Sequence, residues 1–262
     1  MVTPFVILSK PRSGSSFLRD MLNSHPDIRV YGELLLPAPS WERPLWEPND
    51  LEFARVFVTR HIRRPRLRAT RPYWTMRYLE RVFDQPSCRA VGMKLMYEQV
   101  RQWPETWVYL LAKRVRVIHL VRRNLLDLFL SDAVREQTGI WHVTNDGRPE
   151  MPGKKRSLDG LRIRLDPDEL VRSLDHLASN QESFRRWVRL SKIPAIEIEY
   201  EQLVAEHELF AGVLAFLGLD PDDWKTLRTG HEKVNTKSHT ELIENIDEVE
   251  ARLSRTPYAA HI

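Results

Sequence analysis

Short apolar runs alternate with longer amphipathic segments along most of the chain. The apolar runs have the length of buried strands: Phe5–Leu8, Ile28–Tyr31, Ala90–Met96, Val115–Val121 and Ala195–Ile198. Between them, apolar residues recur at three- and four-residue steps, most clearly from Asp166 to Ser191, and this spacing is typical of helices. Strands that alternate with helices predict an α/β fold with a central parallel sheet flanked by helices.

Prolines and polar residues mark the ends of the predicted helices. We predict helices over Ser16–Ser24, Asn49–Arg64, Pro72–Phe83, Pro104–Lys113, Asn124–Glu136, Asp166–Ser191, Gln202–Leu217 and Glu241–Leu253. Residues 33–48, 138–164 and 227–240 are polar or rich in proline and predict loops. Since such sheets bind ligands beyond the carboxyl ends of their strands, the loops that follow strands are the candidates for chemistry.

The composition narrows the class of protein. A length of 262 residues favours a single domain over 1–262, and 42% apolar with 29% charged residues excludes a wholly disordered chain. There is no apolar run of about 20 residues and no signal-peptide pattern, so we expect a cytoplasmic protein without a transmembrane segment. The single cysteine, Cys88, excludes an intrachain disulfide framework and fits a reducing compartment.

Arginine dominates the basic side chains. Of 40 Lys and Arg residues only nine are Lys, and the net charge is +4. Guanidinium groups bind phosphate, sulfate and carboxylate oxygens as a fork, which suggests an anionic ligand, although a genome rich in Arg codons gives the same bias. Six arginines lie within residues 60–71; this run is a solvated or partner-contacting face, a nucleic-acid patch, or a surface that gathers an anionic acceptor. No zinc-finger or RNA-binding signature accompanies it, so we expect no nucleic-acid partner.

The loop after the first predicted strand has the composition of an anion site. Residues 9–16 read Ser-Lys-Pro-Arg-Ser-Gly-Ser-Ser, between a strand and a helix. Small residues let backbone N–H groups turn toward an anion at the helix N-terminus, where Arg12 and the hydroxyls of Ser15 and Ser16 can join them. The segment is not a Walker A loop, because it lacks a second glycine and a lysine before Ser16. A serine-rich helix cap is the alternative for this segment alone.

Four segments together resemble a known family. Pro11–Leu18 resembles the 5′-phosphosulfate loop of sulfotransferases that use 3′-phosphoadenosine 5′-phosphosulfate (PAPS), above all the carbohydrate-directed and bacterial trehalose 2-sulfotransferase-like branches. That family binds the 3′-phosphate with an Arg at a strand end and a Ser eight residues later, the spacing of Arg123 and Ser131. Gly92–Leu95 resembles the Gly-x-Lys-Leu strand of the trehalose branch. Tyr200–Leu203 resembles the Tyr-Glu-Asp-Leu segment whose tyrosine approaches the adenine.

The resemblance implies a P-loop-like fold and transfer of a sulfuryl group from PAPS to a hydroxyl of a glycan or small-molecule acceptor. The implied reaction requires no metal, and the resemblance makes a homodimer a reasonable expectation. Segments near 34–85 and 138–165, where the resemblance weakens, are expected to hold the acceptor. The residues that it assigns to PAPS are Arg12, Ser13, Gly14, Ser15, Ser16, Arg123, Ser131, Tyr200 and, in a loop near the C-terminus, Lys233 and Lys237.

Sulfuryl transfer needs charge stabilisation and benefits from a base. Arg12 is placed to neutralise the leaving 5′-phosphate, and Lys94 to assist at the bridging or sulfuryl oxygens. The His that serves as base in many cytosolic members is absent after Lys94, so Glu33, just past the second strand, is the expected base. The alternative is that Glu33 only pairs with an Arg.

Three other side chains enter the prediction for the acceptor and the base. His142 is the second choice of base, and Trp141 is expected either to stack on an acceptor sugar or to pack. His119 lies among apolar residues and is expected to be a core histidine. Two other functions stay open. One is a nucleotide kinase-like P-loop enzyme, although this chain lacks the Gly-Lys-Ser/Thr sequence that such enzymes need. The other is a nucleotide- or polyanion-binding module without turnover.

Overall fold

The computed structural model describes residues 2–35, 69–138, 160–229 and 238–262. The chain divides into two compact units: one of Met1–Val121 and Arg185–Thr229, the other of Arg122–Phe184 and Gly230–Ile262. The first unit contains the sheet, and the second is built from helices. Across the described ranges, no helix combines the length and the apolar character that crossing a membrane requires.

The described residues form a five-stranded sheet in the order β2-β3-β1-β4-β5, in which every pair of neighbours is parallel. This confirms the predicted α/β fold, and each predicted strand is found with ends within two residues. β1 is central, and the chain moves to one side of it after β1 and to the other side after β3. The loop after β1 therefore lies where the winding changes direction, the position at which open parallel sheets bind ligands. The strands are β1 (Thr3–Ser9), β2 (Ile28–Tyr31), β3 (Ala90–Met96), β4 (Arg116–Val121) and β5 (Ala195–Glu199).

Helices alternate with the strands along the described chain. They are α1 (Ser15–Asn23), α2 (Arg71–Phe83), α3 (Tyr97–Gln102), α4 (Pro104–Ala112), α5 (Leu125–Thr138), α6 (Pro167–Ser191), α7 (Tyr200–Ala205), α8 (Leu209–Leu217), α9 (His239–Leu242) and α10 (Ile246–Leu253). Short 3-10 turns follow at Pro221–Thr226 and Ala259–His261.

The core on one face of the sheet forms around the central strand. Phe5 and Ile7 pack in one cluster with Leu18 of α1 and Phe210 of α8. Val6 alternates with them and is also fully buried, so the opposite face is covered as well. The near-continuous apolar sequence of β1 follows from this burial on both faces.

Two predicted helices are interrupted in the structure, and helix α3 was not predicted. The helix expected over Gln202–Leu217 is two helices, because Glu206 takes φ −126° and ψ 80° and ends α7. The helix expected over Glu241–Leu253 breaks at Ile243, whose neighbours pair with Ile163: Ile163 N–H donates to Leu242 O at 2.8 Å, and Glu244 N–H donates to Ile163 O at 2.9 Å.

Candidate active site

The loop between β1 and α1 has a backbone shaped for an anion. Arg12 and Gly14 both adopt left-handed conformations, with φ of 67° and 85°. For Arg12, which carries a Cβ, this conformation costs about 1–3 kcal/mol, a strain typical of ligand-binding loops. Gly14 is the N-cap of α1, so the loop leads directly into the positive end of that helix dipole.

A buried hydroxyl in this loop lacks a partner. Ser13 is fully buried, and its Oγ has no hydrogen-bond partner among the described residues. A buried polar atom without a partner costs free energy unless a ligand supplies one. The unpaired hydroxyl, the two left-handed residues and the helix N-terminus together fit the phosphosulfate end of a PAPS molecule.

Tyr200 closes one side of the loop. It begins α7 directly after β5, and a Cβ built on Gly14 would lie 2.0 Å from Tyr200 Cδ2. Only glycine lets the ring approach so closely. Phe17 of α1 meets the Tyr200 ring edge-on at 6.0 Å between centroids, which fixes the ring over the loop.

Lys94, Glu33 and Ser16 meet beside the loop. Lys94 Nζ lies 3.3 Å from Glu33 Oε1 and donates to Ser16 Oγ at 3.2 Å. Lys94 is 5% exposed, and this burial lowers its pKa. Glu33 opposes that shift, whereas the nearby positive charges of Arg19 and Arg12 add to it. The structure therefore brings Ser16, Lys94 and Glu33 into contact, with the charge of Arg12 nearby.

Two further residues, Arg19 and Gln99, contribute to the site and were not predicted from the sequence. Arg19 is buried on α1, forms an ion pair with Asp20 at 2.8 Å and adds a third cation near Lys94. Gln99 Nε2 donates to Glu33 Oε2 at 3.3 Å. The sequence signature of a capping box begins with Ser or Thr, whereas the N-cap of α3 is Met96, so no local signal marked Gln99.

Helix α3 connects the loop to the interior of the sheet. Glu98 forms an ion pair with Lys10 of the loop. Tyr97, one residue before it, is buried and shares a hydrogen bond of 2.7 Å with His119 Nε2. Burial raises the pKa of Tyr97, with the nearby charge of Glu197 adding to the shift.

His119 is the core histidine that the sequence predicts. Its Nδ1 lies 2.9 Å from Glu197 Oε2, and Arg185 donates to both oxygens of that carboxylate at 2.9 and 2.8 Å. Partial burial of Glu197 acts to raise its pKa, but the hydrogen bonds from His119 and Arg185 prevail and lower it to about 2. Both ring nitrogens of His119 are thus occupied within the fold.

The second unit carries the predicted 3′-phosphate residues. Asn124 caps α5, since its Oδ1 accepts from Asp127 N–H at 3.0 Å. Arg123 precedes this cap, and Ser131 lies two helical turns into α5. Asp127 accepts from Arg122 at 2.9 Å and pairs with His239 Nε2 at 2.8 Å. Partial burial acts to raise the pKa of Asp127, but these two partners lower it.

Several predictions fall outside the described residues. These are Trp141 and His142, Lys233 and Lys237, the helix over Asn49–Arg64, and residues 60–68 of the arginine run. At the end of that run, Arg71 is described: its Nε lies 2.7 Å from the buried carboxylate of Glu105.

Comparison with known proteins gives concordant matches. Residues 108–247 match the family model described as Stf0 sulphotransferase, and residues 4–131 match one described as Sulfotransferase family. Nodulation protein H of Rhizobium tropici is 27% identical over 258 residues, covering 98% of this chain and 91% of that protein. Nodulation protein H of Rhizobium meliloti (strain 1021) is 29% identical over 143 residues, 53% of this chain and 49% of that protein.

Among solved structures, a sulfotransferase from Alicyclobacillus acidocaldarius aligns over 97% of this chain and 95% of its own, with 16% identity and a TM-score of 0.47. The family matches confirm the predicted sulfotransferase and stand against a nucleotide kinase. The Stf0 sulphotransferase model matches just over half of the residues of this chain, and the chain therefore belongs to the Stf0 sulphotransferase family.

Proposed function

We propose that this sulfotransferase transfers the sulfuryl group of PAPS to a hydroxyl of a carbohydrate or other small-molecule acceptor, with Glu33 as the general base. The contact of Glu33 with Lys94, beside a loop shaped for an anion, carries the proposal. It brings a carboxylate and a buried cation to the carboxyl edge of the sheet, where parallel α/β sheets bind their ligands.

The donor is assigned to two groups of residues. In the first, Ser13 Oγ and the N-terminus of α1 hold the phosphosulfate end, and the ring of Tyr200 serves the adenine. In the second, Arg123 and Ser131 serve the 3′-phosphate. Their spacing of eight residues is the support for that assignment.

Bound PAPS supplies an activated sulfuryl group. The protein supplies positioning and fixed charge, since transfers through loose transition states are catalysed mainly in this way. Arg12 and Lys94 stabilise the negative charge that develops on the leaving phosphate. Glu33 accepts the proton from the acceptor hydroxyl, and its contact with Lys94 holds the carboxylate in place.

A carbohydrate acceptor follows from the resemblance to the trehalose branch and fits the Stf0 family match. The single cysteine supports a cytoplasmic location, because free thiols suit a reducing compartment.

Calorimetry tests the donor. The purified protein is titrated with 3′-phosphoadenosine 5′-phosphate (PAP), the product that PAPS leaves, and separately with ADP and with ATP plus magnesium. We expect PAP to bind at least about 10-fold more tightly than ADP, because a 3′-phosphate adds charge-assisted hydrogen bonds. A preference for ATP with magnesium would contradict the proposal.

A transfer assay tests the acceptor. PAPS with a radiolabelled sulfuryl group is incubated with trehalose, with glucose and, separately, with non-carbohydrate alcohols and phenols, and the labelled products are separated by chromatography. We expect label on at least one sugar. Label only on non-carbohydrate hydroxyl compounds would keep the sulfotransferase and exclude the carbohydrate acceptor.

A further inference from the structure

The side-chain amide of Gln99 has its orientation fixed by the backbone. Gln99 is 2% exposed, and its Oε1 accepts a hydrogen bond from Met96 N–H at 3.0 Å. A backbone N–H can only donate, so the oxygen of the amide must face Met96. The NH₂ group therefore faces away from the end of β3, and it donates to Glu33 Oε2 at 3.3 Å.

Glu33 is thus held through both of its oxygens by two different elements. Oε1 contacts Lys94 of β3, and Oε2 accepts from Gln99 of α3. Lys94 alone would leave the carboxylate able to rotate about its last torsion angle, because an ammonium is a point charge without directional preference. The Gln99 amide is planar and buried, so it restricts that rotation.

We propose that Gln99 is a positioning residue for Glu33: it sets the plane of the carboxylate toward the acceptor hydroxyl without touching donor or acceptor itself. The inference rests on the proposed role of Glu33 as base. A base works only when its lone pair points at the proton that it removes, and a misplacement of about 1 Å can cost about 100-fold in rate.

The competing explanation is that Gln99 only caps α3. Two substitutions separate the explanations. Gln99→Glu keeps an oxygen acceptor for Met96 N–H, and therefore the cap, but places a carboxylate against Glu33. Gln99→Leu removes both the cap and the donor. Gln102→Glu and Gln102→Leu, at an exposed position on the same helix, are the matched controls.

The kinetic experiment measures kcat and KM for PAPS, with the sugar that accepts label best. We expect Gln99→Glu to lower kcat about 100-fold and Gln99→Leu about 10-fold, with KM for PAPS and the Kd for PAP within about 2-fold of the unaltered protein. In a Glu33→Ala background, neither substitution should lower kcat further. If Gln99 only capped α3, the kcat of Gln99→Glu would stay near normal, and the effects on kcat of substitutions at Gln99 and Glu33 would be additive. That result would overturn the proposal.

A spectroscopic measurement needs no acceptor. The ¹⁵N resonance of the Gln99 side-chain amide is assigned by its loss in Gln99→Leu. We expect it to shift, and its hydrogens to exchange faster with solvent, in Glu33→Ala but not in Glu250→Ala, an exposed glutamate of α10. An unmoved resonance would show that the contact is absent in solution and overturn the proposal. Failure of the proposed function would instead appear in the unaltered protein, as no binding of PAP.

Discussion

The ring of Tyr200 lies against the backbone of Gly14, at a distance that leaves no room for a side chain. A methyl group on residue 14 would meet three ring atoms at 2.0, 2.3 and 2.8 Å, and the φ of 85° is itself unfavourable for any residue with a Cβ. We expect Gly14→Ala to weaken PAP binding at least about 10-fold, as measured by calorimetry. Displacing the Tyr200 ring and straining the backbone of the loop should each cost about 1–2 kcal/mol of binding free energy.

A matched glycine provides the control for this substitution. Apart from its chain neighbours and the backbone of its own helix, no described atom lies within 4 Å of a Cβ built on the helical Gly212, so Gly212→Ala should leave PAP affinity unchanged. Combining Gly14→Ala with Tyr200→Ala should cost less than the sum of the two single effects, since the clash is gone. Unchanged PAP affinity in Gly14→Ala would contradict the assignment of this loop.

Replacing the proposed base should separate catalysis from donor binding. Glu33→Gln keeps the shape of the side chain but removes its ability to accept a proton. We expect kcat to fall about 100- to 10,000-fold while the Kd for PAP stays within about 2-fold. Steady-state transfer to the best sugar acceptor measures the first quantity and calorimetry the second. Near-normal turnover would exclude Glu33 as the base.

Lys94 should speed sulfuryl transfer but lower the stability of the folded protein. Its pKa is lowered by burial, and Arg19 and Arg12 add to this effect against the opposing charge of Glu33. A neutral side chain of similar length avoids the cost of burying this charge, and the net downward shift of the pKa means that this cost exceeds the attraction between Lys94 and Glu33. We expect Lys94→Met to abolish transfer and to raise the midpoint of thermal unfolding at pH 7, by about 2–4 °C for each kcal/mol gained.

The sign of this effect with pH follows from proton linkage. Between the lowered pKa of Lys94 and its ordinary value of 10.5, the unfolded chain binds more protons than the folded one, so the unaltered protein gains stability as pH rises. The advantage of Lys94→Met should therefore shrink from pH 7 toward pH 10.5. Lys113→Met, at an exposed lysine paired with Glu80, should show no such gain. A lower midpoint for Lys94→Met at pH 7 would refute the prediction.

Arg123 should distinguish nucleotides by their 3′-phosphate. AMP lacks the 3′-phosphate that PAP carries, so Arg123→Ala should weaken PAP binding about 10- to 100-fold and leave AMP within about 2-fold. Arg135→Ala, on the following helix α5 and paired with Asp132 at 2.8 Å, is the control and should affect neither nucleotide. Equal losses for PAP and AMP would place Arg123 elsewhere than at the 3′-phosphate.

The sheet and the anion loop could be predicted because both are encoded locally. A strand buried on both faces reads as an apolar run, and the small residues between Lys10 and Phe17 signal an anion loop without any knowledge of distant contacts. Ser16, Lys94 and Glu33 meet because the neighbouring parallel strands β1, β2 and β3 end at one edge of the sheet.

The parts that sequence reasoning missed depend on tertiary contacts. The break at Ile243 arises from backbone pairing with Ile163, eighty residues earlier in the chain, and no local pattern encodes it. Gln99 matters only because Glu33, two residues past the end of β2, lies within reach of its amide. A polar residue in a short helix carries no sign of its partner, so its role becomes visible only with the fold.

Helix α3 has six residues, and three of them are tied to three different parts of the first unit. Tyr97 bonds His119 in the sheet interior, Glu98 pairs with Lys10 of the loop, and Gln99 holds Glu33. Unfolding of this short helix must break all three contacts together. The amides of α3 should then exchange with solvent as one cooperative unit with the loop, so the competence of the site is gained or lost as a whole.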